Sequence, residues 1–168
     1  MVTVPFPYGL DQPFLYKKWV GEPVGDAVFT SQFVRQGRYV AEYHGELLLA
    51  SEGHRQDKRR EELGDVDRCY MFYLEAVDPE SKRLTEYCLD AEADRTDRIG
   101  RLFNHDRVAP SVKPVVTYDS TRKPRLVFVA SADLTPGTMI NYDYKDRRRL
   151  ANHPWLSSNV SLTATIRD

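Results

Sequence analysis

The sequence has little of several features that mark common protein classes. Its two cysteines, Cys69 and Cys88, lack the C-x-x-C spacing of metal sites, so we expect no metal centre and a reducing, intracellular setting. Pairing of the two in space stays open. The 24 basic residues are balanced by 25 acidic ones without a basic arm, which argues against direct nucleic-acid binding.

Long apolar runs are also missing. No stretch approaches the roughly 20 residues of a membrane span, and the N-terminus, with Pro5 and Pro7, lacks the basic region of a signal peptide. We therefore expect a soluble chain without a membrane segment. Its 168 residues suit one domain better than two.

The chain divides into three parts by composition. Residues 1–22 are rich in proline and aromatic residues and are predicted to wrap over the core as an adaptor, without regular strand or helix. Residues 23–146 hold the domain. Residues 147–168 are predicted to be a C-terminal lid segment and tail, with a short helix beginning near residue 147.

Short strands dominate the predicted domain. Residues 25–45 hold two β-prone runs split by a turn, which we expect to pair as antiparallel strands. Residues 51–63 are charged and end before Gly64, which predicts a surface helix with a glycine C-cap. The runs on either side of residues 78–81 predict a β-hairpin, because Asp-Pro favours a turn.

The second half of the domain continues this pattern. A short helix is predicted from about Arg95, followed by a loop that holds Pro110 and Pro114. Residues 115–118 and 125–130 are predicted to pair, and residues 139–144 to complete the sheets after a Pro-Gly turn. The fold class is therefore β-rich α+β, with several short, mostly antiparallel sheets.

Polar and aromatic residues end three of these segments. Asn104 and His105 close the run 98–105, and similar groups occur at 42–45 and 140–144. A buried amide or imidazole without a hydrogen bond costs about 1–3 kcal/mol, so such a pair is either satisfied internally or binds a ligand. The pair alone favours the structural interpretation, and the two other stretches shift the balance towards a site.

The order of these motifs resembles the SET-domain protein lysine methyltransferases. The resemblance rests on Glu-Tyr-His-Gly at 42–45, Arg-Leu-Phe-Asn-His at 101–105, Leu-Thr-Pro-Gly at 134–137 and Tyr-Asp-Tyr at 142–144. Cys-Tyr-Met at 69–71 and His-Pro-Trp at 153–155 further resemble the Set8-like subfamily, which monomethylates histone H4 at lysine twenty. The resemblance implies a SET fold whose C-terminal segment forms a pseudoknot.

The resemblance also implies roles for individual residues. Tyr43, Tyr142 and Tyr144 match the aromatic channel that orients the substrate lysine, with Tyr144 nearest the methyl transfer and Tyr142 limiting the product to one methyl group. The remaining matched positions are implied to bind S-adenosylmethionine: Val24, Gly25, Asp26, Tyr70, Asn104, His105 and Trp155.

Three positions depart from the subfamily pattern. Asp26 lies where a basic residue is usual, Asp106 replaces the serine after the Asn-His pair, and Lys145 replaces a glycine. No cysteine cluster follows the domain, so by resemblance Trp155 would close the cofactor site in place of a zinc-bound tail. A tryptophan that packs into the core explains Trp155 nearly as well.

The predicted function is S-adenosylmethionine-dependent monomethylation of a lysine in the histone H4 tail, by a monomeric nuclear enzyme acting on the tail peptide or the nucleosome. Acidic residues at positions 90–97 would suit a basic tail, although a solvated acidic loop explains them equally well. Alternatives are a SET enzyme for another histone or non-histone lysine, a catalytically silent SET module that binds peptides, and a secreted effector that acts in a host nucleus.

Overall fold

The computed structural model describes residues 9–64, 70–92 and 98–145. Ten strands, one α-helix and one single-turn 3₁₀ helix (Ile99–Leu102) occur in these residues. The helix α1 spans Ala50–Glu62. The strands are β1 (Leu15–Trp19), β2 (Asp26–Thr30), β3 (Tyr39–Glu42), β4 (Glu46–Leu49), β5 (Met71–Val77), β6 (Leu84–Asp90), β7 (Asn104–His105), β8 (Val112–Tyr118), β9 (Pro124–Ala130) and β10 (Met139–Tyr142).

The strands form three small sheets. Their orders are β1-β2-β10-β7, β3-β9-β8 and β4-β6-β5. The β1–β2, β2–β10, β4–β6 and β5–β6 pairs are antiparallel, and β10–β7 is parallel. The predicted β-rich fold of short, mostly antiparallel sheets is confirmed. Within the described ranges, no helix combines the length and apolar character needed to cross a membrane.

The chain clusters into two compact units that alternate along the sequence. Unit 1 takes the described residues within 1–11, 41–101 and 115–128, and unit 2 takes those within 12–40, 102–114 and 129–168. The core of unit 1 includes the fully buried Cys88 and Leu126. Val28, Phe103 and Ile140 are fully buried in unit 2, where they anchor the sheet that carries β7 and β10.

The helix α1 is confirmed as a polar surface helix. Glu52 in its first turn and Arg59 and Arg60 in its last turn complement the helix dipole. The N–H of Gly64 donates to the Glu61 carbonyl at 3.0 Å, and Gly64 has a φ of 75°, a left-handed conformation that glycine adopts readily. The predicted glycine C-cap therefore forms.

The predicted hairpin and strand pair are also confirmed. Strands β5 and β6 pair from Met71↔Asp90 to Val77↔Leu84, around the turn that begins at Asp78. Strands β8 and β9 are neighbours, as expected for residues 115–118 and 125–130. Strand β8 begins earlier than the sequence predicts and includes Pro114, a residue predicted to lie in a loop. It lies at a sheet edge, where the missing N–H of a proline is tolerated.

Two predictions about strands are wrong. Residues 15–19 form β1, although we expected no regular structure within residues 1–22. Strand β1 is an edge strand with mostly exposed side chains, so its buried-face signal is weak. The two runs within residues 25–45 do not pair: β2 bonds to β1 and β10, whereas β3 belongs to another sheet. Partners distant in sequence replace the local hairpin.

Several predictions fall outside the described residues. They are the start of the helix near Arg95, the helix near residue 147, the lid at 153–155 and residues 1–8 of the adaptor.

The 3₁₀ turn at Ile99–Leu102 contains Gly100. A Cβ on Gly100 would lie 2.2 Å from the Glu42 carbonyl oxygen, so this close approach of two backbone segments requires glycine.

Candidate functional site

The Asn-His pair and the final tyrosine stretch lie side by side in unit 2. Strand β7 runs parallel to β10, with Asn104 opposite Asn141 and His105 opposite Tyr142. On its other side β10 pairs with β2, where Ile140 faces Val28. The sheet thereby brings together two of the three polar stretches that the sequence had singled out.

Tyr144 is hydrogen-bonded to His105 in β7 and to Phe103, the residue that precedes β7. Its backbone N–H donates to Nδ1 of His105 at 3.1 Å, and its hydroxyl donates to the Phe103 carbonyl at 2.7 Å. The rings of His105 and Tyr144 lie 5.0 Å apart between centroids. The backbone bond, the hydroxyl bond and the ring contact together fix the orientation of Tyr144.

His105 carries a buried ring nitrogen that no described residue hydrogen-bonds. The side chain is 2% exposed, and this burial lowers its pKa below the usual 6.5, although the Asp143 carboxylate opposes the shift. Because Nδ1 accepts the Tyr144 N–H, the neutral ring carries its proton on Nε2. Nε2 is buried and has no hydrogen-bond partner in the described ranges. A ligand acceptor at this position would satisfy it.

Tyr142 packs against Tyr144 and is itself buried. Their ring centroids are 4.6 Å apart, with the planes tilted by 44°. Tyr142 is 6% exposed, and its carbonyl accepts the N–H of Asp106 at 3.0 Å. The two tyrosines therefore form one aromatic wall beside the histidine.

Asp106 organises the turn that leaves β7. Its Oδ1 accepts the N–H groups of Val108 and Ala109 at 2.8 and 3.0 Å, and its Oδ2 accepts a longer bond of 3.4 Å from Nδ2 of Asn141. The carboxylate that replaces the usual serine is thus a multiple acceptor. We therefore expect Asp106 to stabilise this turn.

Asn141 and Ser111 form a second link to β10 that the sequence analysis missed. Asn141 Oδ1 accepts the Ser111 N–H at 2.8 Å, while the Ser111 hydroxyl donates to the Asn141 carbonyl and accepts its N–H. These bonds fasten the end of the β7–β8 loop directly before Tyr142. The polar residue within an otherwise apolar strand was the available signal.

The predicted cofactor strand begins at a tight hairpin. Gly25 has a φ of 76°, and a Cβ there would lie 3.3 Å from the Trp19 ring. Asn104 Nδ2 donates to the Asp26 carbonyl at 3.1 Å, which ties β7 to the start of β2. The Asp26 carboxylate lies 3.4 Å from Lys17 Nζ, so its unexpected negative charge is paired within the hairpin. The adjacent Val24 is half-buried.

Two further predicted residues belong to unit 1. Tyr43 is buried, with its ring centroid 5.4 Å from Phe72 and 6.3 Å from Phe128. The guanidinium of Arg101 lies over the Tyr70 ring, 5.1 Å from the centroid. Their roles in substrate and cofactor binding stay predictions, and the predicted role of Trp155 falls outside the described residues.

Known proteins resemble this chain over most of its length. The family model of the SET domain matches residues 25–145. The chain is 33% identical over 157 residues to "Histone-lysine N-methyltransferase Set8" of Drosophila melanogaster, covering 89% of this chain and 21% of that protein. It is 38% identical over 140 residues to "N-lysine methyltransferase KMT5A-A" of Danio rerio, covering 80% and 37%.

A solved structure shows the same likeness. The crystal structure of CpSET8 from Cryptosporidium matches with a TM-score of 0.66 and 28% identity, over 79% of this chain and 57% of that one. The chain spans only 21% and 37% of the two curated relatives it matches. The family model covers well over half of the residues, and strands β2, β7 and β10 lie inside the matched range. The chain belongs to the SET-domain family.

Proposed function

We propose that this chain is an S-adenosylmethionine-dependent protein-lysine N-methyltransferase that adds one methyl group to a lysine of the histone H4 tail. The observation that carries the proposal is the juxtaposition of the buried His105 with the tyrosine wall of Tyr142 and Tyr144. Two curated relatives are named as lysine methyltransferases, one of them for histone lysine.

The residues of unit 2 fit the cofactor. The Nε2–H of His105 offers a buried donor, and Asn104 and Gly25 shape the adjoining backbone. Because Lys17 pairs with the Asp26 carboxylate, the entry strand presents less negative charge than its sequence suggests. When bound, S-adenosylmethionine supplies a methyl group attached to a positively charged sulfur.

The tyrosines are proposed to prepare the substrate amine. A free lysine has a pKa of about 10.4, so the amine must lose a proton before it can act as a nucleophile. An aromatic wall excludes water, which disfavours the charged ammonium and lowers the pKa of the amine. The same wall restricts the amine to one direction of approach, and this orientation of the reacting groups increases the rate of methyl transfer.

The remaining site roles follow the family resemblance. Tyr43 is proposed to complete the lysine channel, Tyr70 to contact the cofactor, and Trp155 to close over the adenine region. We propose that the protein acts as a monomer in a nucleus, on the H4 tail or the nucleosome.

The function is tested by incubating the purified chain with methyl-labelled S-adenosylmethionine, core histones and nucleosomes. Label on H4, lost when lysine twenty of H4 is replaced by arginine, supports the proposal. Label on another protein identifies a SET enzyme with a different target. No label on any substrate, together with no cofactor binding by calorimetry, contradicts the proposal and favours the silent module.

The product limit is tested by Tyr142→Phe. If the Tyr142 hydroxyl restricts the space around the amine, its removal allows a second methyl group to enter. Mass spectrometry of an H4 peptide after prolonged incubation should show dimethylated product for Tyr142→Phe and monomethylated product for the wild type. Unchanged monomethylation in an active variant would remove this role from Tyr142.

A further inference from the structure

A groove of about 300 Å³ lies in unit 1, between the first half of α1 and the β5–β6 hairpin. Ala50 and His54 line it from the helix, and Tyr73 and Tyr87 from the hairpin. Much of this lining is apolar side-chain surface, which suits the alkyl part of an incoming side chain.

Two carboxylates lie on the hairpin side of the groove. Glu75 and Glu86 both line it, and they are directly opposite each other in the antiparallel register of β5 and β6. Both side chains are exposed. Like charges in directly opposed positions destabilise a β-hairpin, so this pairing disfavours the free protein and favours binding of a cation.

Two buried carboxylates of unit 1 have cationic partners. Glu42 pairs with Arg125 at 3.1 Å, and Asp90 pairs with Arg60 at 2.9 Å. Across the described ranges, neither Glu75 nor Glu86 has an ion-pair partner. As far as the described residues go, the groove therefore carries two carboxylates without an ion-pair partner beside an apolar wall.

An aromatic pair, one ring from α1 and one from β5, also lines the groove. The rings of His54 and Tyr73 stack with centroids 4.5 Å apart and planes 15° apart. The Tyr73 hydroxyl donates to Asp57 at 2.7 Å, which holds the ring in place. Aromatic rings next to carboxylates favour lysine or arginine side chains, through cation–π attraction and ion pairing.

We propose that this groove docks a lysine or arginine side chain from a basic segment of the protein substrate, at a position other than the lysine that is methylated. The proposal rests on the proposed function for the nature of the substrate, because a histone tail supplies several cationic side chains near one another. Glu75 and Glu86 bind the cationic head, and Tyr73 and Ala50 contact the alkyl stem. This contact strengthens binding of extended substrates and leaves the transfer step unchanged.

Direct binding is measured by two-dimensional ¹H–¹⁵N NMR of the full chain, titrated with a hexalysine peptide. The amides of His54, Tyr73, Glu75 and Glu86 should shift in a saturable manner, and a fully acetylated hexalysine should produce no shift. The double variant Glu75→Gln/Glu86→Gln should abolish the response. Its fold is expected to persist, because the substitution removes repulsion and changes side-chain volume little.

A matched variant controls for net charge. Glu46→Gln/Glu62→Gln removes the same two charges from exposed positions outside the groove. It should bind hexalysine like the wild type. An equal loss in this control, or equal shifts with the acetylated peptide, would overturn the proposal, since binding would then follow overall charge or no charge at all.

Kinetics separate this inference from the proposed function. With an H4-tail substrate that extends well beyond the target lysine, Glu75→Gln/Glu86→Gln should raise KM by about 5- to 10-fold at unchanged kcat, the effect of losing one cation contact. A short peptide around the target lysine should show the same KM for both proteins. Equal KM values for the long substrate would contradict docking, whereas a wild type without any activity but with hexalysine binding would contradict the proposed function alone.

Discussion

The turn after β5 and the end of the β7–β10 pair both contain polar networks, but only the first is closed by its own residues. At the turn, Asp78 accepts the N–H groups of Glu80 and Ser81 and the hydroxyl of Tyr87. At β7, His105 Nδ1 is satisfied by Tyr144 while Nε2 is left over in the described part of the chain. A network whose groups all bond to one another stabilises the fold. A network with an unbonded donor can bind a ligand acceptor.

The pKa values reflect this difference. The Tyr87 hydroxyl, with the backbone donors, lowers the pKa of Asp78 from 3.8 to about 2, and burial together with Asp78 raises the pKa of Tyr87 to about 12. Both groups keep their favoured charge states over the whole physiological range. His105 is instead kept neutral mainly by burial, which leaves its ring able to donate from Nε2.

The largest expected effect is the loss of kcat in Tyr144→Phe, and Tyr87→Phe, which removes a hydroxyl from the other network, is its control. Tyr144→Phe should lower kcat by about 10²- to 10³-fold, because Tyr144 would lose the bond to Phe103 that orients it beside the transferred group. Tyr87→Phe should lower the free energy of unfolding and leave kcat unchanged. Steady-state methylation and urea unfolding measure the two quantities. Equal loss of activity in both variants would contradict the distinction.

Cofactor affinity should respond to His105 next. His105→Ala removes the buried donor and should weaken S-adenosylmethionine binding by about 10- to 100-fold, which corresponds to a lost buried hydrogen bond of 1–3 kcal/mol. His105→Gln keeps an N–H donor and an acceptor and should recover part of that loss. Calorimetry provides the measurement. Wild-type affinity in the alanine variant would show that Nε2 is satisfied by the protein itself.

Replacing Asp106 tests whether its hydrogen bonds stabilise the fold without contributing to cofactor binding. Asp106→Ser should lower the free energy of unfolding by about 1–2 kcal/mol, because serine cannot accept from Val108, Ala109 and Asn141 together. Cofactor affinity should stay near the wild-type value. Chemical denaturation and calorimetry on the same preparation separate the two effects, and a variant that loses affinity at full stability would make Asp106 a cofactor residue.

The smallest effect is the pH dependence of stability. The folded-state pKa of His105 is lowered, so its contribution is present above the unfolded value of 6.5 and is lost as the pH falls below it. Asp78 contributes above 3.8, and this contribution is lost as the pH falls towards 2. Urea unfolding at a series of pH values measures these contributions. His105→Gln should reduce the pH dependence of the unfolding free energy only just below pH 6.5, and Asp78→Asn only between pH 3.8 and about 2. A variant that flattens both ranges would contradict these assignments.

Local sequence signals predicted the structure best where partners are close along the chain. The β5–β6 hairpin and the end of α1 follow from Asp-Pro turn chemistry and Gly64, whose effects act within a few residues. The pairing of β2 with β10 joins residues over one hundred positions apart, and no periodicity in either strand specifies the other. The predicted β2–β3 pair was wrong for that reason.

The candidate site shows the same division. Asn104, His105 and Tyr142 were found because polar residues end apolar strands, a signal that each segment carries alone. The pairing of Asp26 with Lys17 was not predictable, because it depends on β1, which the proline- and aromatic-rich composition concealed. Ser111 was missed because a single serine in a loop gives no indication of its three bonds to Asn141.

The central claim is that Nε2 of His105 is a donor reserved for the cofactor. Histidine-ring ¹⁵N NMR of the full chain, recorded with and without S-adenosylmethionine, tests it most directly because the spectrum reports each ring nitrogen separately. We predict a neutral Nε2–H form in the free protein and a change at the His105 Nε2 resonance that saturates with the cofactor. Saturable binding with an unchanged His105 signal, or a charged His105 ring at neutral pH, would contradict the account.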